Sequence, residues 1–157
     1  MDLLTQYDIP YLHPLAVHFP VVLLLLAMGT AWIYLATSTA VWRQAAMVFL
    51  ALGAAGALWA GKTGETLEEA SRGEPIVEAV VETHEDAARW TLWTALGALA
   101  LFAVATVWLR RLPEPTEVGK RDPVLLRAGL ALVASVPAAL VAYTSHLGGI
   151  MVWGVPV

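Results

Sequence analysis

Four histidines carry the chemistry this sequence can offer: His13 and His18 at the mouth of the first long apolar run, His84 at the head of the third, and His146 at the close of the fourth. An imidazole at the edge of a membrane span is costly to strand and asks for a partner. Imidazole without thiolate suits haem iron, copper, zinc or non-haem iron. The chain has no cysteine, which excludes disulfides, thiolate metal sites, iron–sulfur clusters and covalent haem attachment. His13 and His18 are five positions apart, about 140° around a helix, so they cannot both ligate one iron from the same side. They could serve two separate rings. Two axial histidines leave iron no open position, which makes an electron-transfer centre rather than a reactive one. A small ion would instead draw in Glu85 or Asp86 as further ligands.

The elements that must position these residues are membrane helices. Of 157 residues, 59% are hydrophobic and 14% charged, and the mean hydropathy is +0.68. That is too apolar for a soluble domain of this size. The net charge of −4 has no basic stripe behind it, so nucleic acid is not an expected partner. No Lys or Arg precedes Arg43, so the first apolar run lacks a basic leader and is expected to be a retained span. Four stretches are long enough to cross, at 14–37, 40–61, 84–111 and 123–146. The expected fold is all-α, a single integral membrane four-helix bundle.

Basic residues set the expected orientation. Arg43 follows the first span, and Arg110, Arg111, Lys120, Arg121 and Arg127 surround the turn after the third. Positive loops stay inside, so both termini are expected on the outer, periplasmic side of a bacterial inner membrane. All four histidines then fall in the outer layer. Lys62, Arg72 and Arg89 lie there too, where haem propionates would emerge. The loop 62–83 is rich in Glu with one apolar side and is expected as two short amphipathic pieces at the interface. Thr83 and Asp86 form a capping box that would open the third helix. Gly148 and Gly149 should end the fourth helix just after His146, and 147–157 should fold back over the outer face.

Span 2 carries Gly53, Ala54, Gly56, Ala57, Ala60, Gly61 and Gly64, and Ala87 and Ala88 follow His84. Such small residues would let a flat ring approach the backbone; close helix–helix packing explains them equally well. The motifs His13-Pro14, Val17-His18-Phe19-Pro20 and His146-Leu147-Gly148-Gly149, with Met151-Val152-Trp153-Gly154-Val155 after them, resemble the bacterial four-helix membrane family DUF2231 over nearly the whole chain. The resemblance implies association with redox modules such as Rieske or cytochrome c proteins. Trp153 stands where the family usually has Tyr, and the final segment is shorter.

The expected function is a membrane-bound b-type cytochrome, or haem-binding subunit, in electron transfer. One or two haems b would be held by His13, His18, His84 and His146, with Lys62 and Arg89 beside them. Its partners would be the lipid bilayer and a larger redox complex or periplasmic electron carrier, and homo-oligomers are possible. The alternatives are a non-haem Cu or Zn site and a structural subunit whose histidines satisfy local hydrogen bonds. An enzyme is not expected, because no nucleophile–base pair stands out. On this reading His146→Ala should remove colour.

Overall fold

The structure, a computed structural model, describes residues 12–111 and 122–154. Lys120, Arg121 and 155–157 of the expected fold-back lie outside the described residues, as do the chain termini on which the orientation was argued. Among the described residues there are helices and no strands. They are α1 (His13–Ala16), α2 (His18–Thr37), α3 (Ala40–Ala70), α4 (Pro75–Arg111) and α5 (Val124–Trp153). α1 and α2 form one span, interrupted at Val17. Pro20 accounts for the break: it lacks the N–H that would reach the Ala16 carbonyl, and its ring crowds that carbonyl. α2 packs on α3 and α5, and α4 packs on the same two helices. α2 and α4 are therefore diagonal to each other.

The chain is a membrane protein with four apolar spans. Its polarity is arranged for lipid rather than water. Large apolar side chains such as Leu125 and Val104 point outward, while the interior is dominated by alanine around Leu24, Tyr34, Leu50 and Phe102. Lipid tails are as apolar as leucine, so burial from water does not drive helix association; close packing through small residues does. A Cβ on Gly53 would come within 2.7 Å of Leu24 Cδ2, and one on Gly56 within 3.1 Å of Phe19 Cβ. Those two glycines set how closely α3 approaches α2.

Three expected boundaries change. The stretch 62–83 is not a separate interfacial loop. α3 runs through it to Ala70 and α4 starts at Pro75, leaving a turn centred on Gly73, whose φ is +91°. Glu78 accepts a hydrogen bond from the Gly73 N–H at 3.1 Å, and Pro75 suits the first helical position. Hydropathy reports depth in the membrane; this stretch is polar and still helix-forming. α4, at 37 residues, is about 55 Å long, well beyond the roughly 30 Å apolar slab. Thr83 and Asp86 accordingly lie inside α4 and cap nothing. α5 also continues through Gly148 and Gly149 to Trp153, so residues 147–153 extend the helix instead of folding back.

The two halves of the bundle repeat each other. Moved 84 positions along the chain, the buried residues Arg43, Ala46, Leu50, Gly53, Ala54 and Thr63 of α3 fall on the buried Arg127, Leu130, Ala134, Pro137, Ala138 and Leu147 of α5. Moved 71 positions, Ala16, Pro20, Leu24, Ala27, Ala31 and Tyr34 fall on Ala87, Thr91, Ala95, Ala98, Phe102 and Ala105, again buried throughout. Hairpins α1–α3 and α4–α5 run in the same direction, so a pseudo-two-fold axis runs along the bundle.

Candidate functional site

One end of the bundle is built around His13 and His84. His13 stands on α1 and donates Nδ1–H to the Ala60 carbonyl of α3 at 3.0 Å, with Thr63 Oγ1 at 3.2 Å. His84 stands on α4 and donates Nδ1–H to the Thr144 carbonyl of α5 at 3.0 Å. Each accepting carbonyl lies four residues before a glycine, Gly64 and Gly148. A Cβ on Gly64 would sit 3.1 Å from His13 Cε1, and one on Gly148 would sit 3.4 Å from His84 Cε1. Each glycine thus gives an imidazole a seat against helix backbone. The arrangement is one motif occurring twice under the pseudo-two-fold: histidine, carbonyl, glycine. His13 and His84 are half-buried.

The hydrogen bonds fix the tautomer. A carbonyl oxygen can only accept, so Nδ1 carries the proton in both rings and Nε2 keeps its lone pair, with no hydrogen-bond partner among the described residues. A backbone carbonyl behind the ring nitrogen is the usual support of a metal-bound histidine. The surroundings are small: Ala16 and Ala87 are buried beside the histidines, and Ala60 lies beneath His13. Two axial nitrogens are the protein's whole contribution to a six-coordinate haem. A bare zinc or copper ion needs three or four donors. Among the described residues no three His, Cys, Asp or Glu side chains gather closely enough to hold such an ion.

The four-histidine cluster expected from the sequence is corrected here. His18 and His146 are exposed on the outside of the bundle. His18, at the start of α2, turns its Nδ1 back to the Pro14 carbonyl of α1 in the same span, and His146 lines a shallow pocket with Gly149, Ile150 and Trp153. Lys62 and Arg89, expected beside the cofactor, are exposed as well, and Arg89 pairs with Asp86 at 3.2 Å. The repeat explains this set. His18 corresponds to Arg89, and Lys62 to His146, so all four occupy outward positions suited to lipid headgroups.

The opposite end holds a second set of buried polar groups. Arg43 donates from Nε to Thr106 Oγ1 at 3.1 Å, and from Nη1 to Tyr34 Oη at 3.1 Å and Asp122 Oδ2 at 2.9 Å. Tyr34 donates to the same carboxylate oxygen. Arg127, the counterpart of Arg43, donates to the Asp122 and Leu35 carbonyls, and Ser38 Oγ accepts the Asp122 N–H at 2.8 Å. Among the described residues no buried side-chain nitrogen or oxygen lacks a partner. This network ties the α2–α3 turn to the start of α5. The sequence did not single out this network as a site, and it offered Gly64 only as one of several small residues and Gly148 only as a helix end. The signal that could have found them is a repeated spacing: Gly64 follows Arg43 by 21 positions, and Gly148 follows Arg127 by 21.

A family model described as a predicted membrane protein, DUF2231, matches residues 10–157. No curated protein and no solved structure gives a significant match.

Proposed function

The chain belongs to the DUF2231 family of predicted membrane proteins, and on that premise we propose that it is a b-type cytochrome whose one haem would be held by His13 and His84. The observation that carries this reading is the twofold repetition of an anchored imidazole. Both rings are tied through Nδ1 to a backbone carbonyl, seated on a glycine, and left with a bare Nε2. A merely structural histidine has no need of a symmetric copy with the same nitrogen left over. When bound, the haem would supply a one-electron couple. The protein's part is to fix the two rings, set their tautomer and keep bulk water away through the surrounding helices. Two ligands, rather than three or four, favour haem iron over a bare Cu or Zn ion.

Electron transfer follows from the ligand set, because a bis-histidine iron offers no site to a substrate. The partner would be a larger redox complex or a soluble carrier on the periplasmic side, reached past the acidic α3–α4 hairpin. The bacterial inner membrane, with the histidine end outward, is the location that the basic residues near the other end support.

The test is spectroscopic. Protein purified from haem-replete cells should show a Soret band, and a sharp α-band on reduction, at one haem per chain. His13→Ala and His84→Ala should each abolish both bands. A colourless protein carrying stoichiometric copper or zinc would favour the metal alternative. A colourless, metal-free protein that cannot be reconstituted with haem would overturn both.

A further inference from the structure

We propose that the chain holds one anionic phospholipid in a groove between α4 and α5 at the arginine end. The groove has a volume of about 530 Å³ and is lined by Leu101, Val104 and Trp108 of α4 and by Leu125, Gly129 and Val133 of α5, among others. That is about the bulk of a single lipid chain. Its walls face outward, with Val104 66% and Leu125 84% exposed. Gly129 leaves its floor open: a Cβ there would meet nothing within 4 Å.

The groove marks a break in the repeat. Leu126, Gly129 and Val133 correspond to Trp42, Ala45 and Phe49 on the other hairpin, a larger side chain at each of the three places. The charge at its mouth is equally one-sided. Arg110 and Arg111 end α4, both exposed; Arg111, three residues beyond Trp108, continues the groove-lining face, and Arg110 turns to the other side of the helix. Their counterparts are Thr39 and Ala40, which carry no charge. Across the groove, α5 begins at Val124 with no side-chain cap, so its first N–H groups point toward the same region and favour an anion. An apolar channel with Arg111 beyond one end, beside the start of α5, fits a phospholipid with an anionic headgroup. A second copy of the chain would bring leucine and valine to the channel but no negative charge from its own groove face.

The experiment uses the full chain in phosphatidylcholine vesicles doped with spin-labelled phosphatidylglycerol or spin-labelled phosphatidylcholine. Electron paramagnetic resonance reads the motionally restricted fraction of each. The wild type should select phosphatidylglycerol, and Arg111→Gln should lower that selectivity about fivefold, the attraction of one surface arginine for an anionic leaflet, with a smaller loss in Arg110→Gln. Gly129→Phe should remove the selective component; Gly129→Leu serves if the larger variant loses its helical circular dichroism. Equal association of both lipids with the wild type would overturn the proposal. So would selectivity that survives in the glycine variant, or a cross-linked dimer that the glycine variant abolishes.

Discussion

The two ends of this bundle treat buried polarity in opposite ways. At the arginine end the network closes on itself: Arg43, Tyr34, Asp122 and Thr106 satisfy one another, and Arg127 spends its donors on backbone carbonyls. At the histidine end, two imidazoles are each anchored through one nitrogen, and the other nitrogen is left over. A closed network stabilises and specifies a fold. A half-satisfied one, repeated by symmetry, is preorganised for something that arrives later. Both ends descend from the same repeated hairpin, so the contrast comes from residue type and not from topology.

The sharpest way to break the comparison is at the ligands. His84→Ala or His13→Ala should eliminate haem absorbance altogether while helical circular dichroism stays at the wild-type level; full haem content in either variant would put the two ends on the same footing. Asp122→Asn should do the reverse. It leaves the Arg43 side chain, 7% exposed, without its countercharge, and should cost about 3 kcal/mol in a detergent unfolding titration. The low end of the usual range applies because Asp122 is 26% exposed. Its haem spectrum should not move.

Smaller effects refine the seating. Gly64→Ala puts a Cβ 3.1 Å from His13 Cε1, tighter than ordinary contact, so the ring must shift. Haem affinity should fall about tenfold, as for the loss of a support behind a ligand. Gly148→Ala places its Cβ at 3.4 Å from His84, an ordinary contact, and should weaken haem binding less; the order of the two in a haem titration checks the geometry. Last come His18→Ala and His146→Ala. Both side chains are exposed, so neither variant should change haem content. Bleaching by His146→Ala would restore the four-histidine arrangement and dissolve the distinction between inward and outward rings.

Much of the scaffold was legible in the sequence because a span announces itself by length and apolarity alone. The gathering of all four histidines toward one end was legible too, since alternating crossings place them there. Their rotation about the helix axes was not. The side of a helix that faces inward is read from the pattern of large and small apolar residues, and that pattern fades where the chain leaves the slab. The break at Val17 further shifts His13 relative to His18. The glutamates of 65–82 look like a loop on a hydropathy scale although they continue two helices.

The sequence by itself determined a four-span membrane bundle with imidazoles in one layer and arginines near the other, because transfer from water to lipid depends on composition residue by residue. Only the tertiary structure decided that His13 and His84 face the interior while His18 and His146 face out, and that Gly64 and Gly148 seat the inner pair. Those assignments depend on which helix lies beside which and how closely, and close approach is a property of packed backbones that no single segment carries.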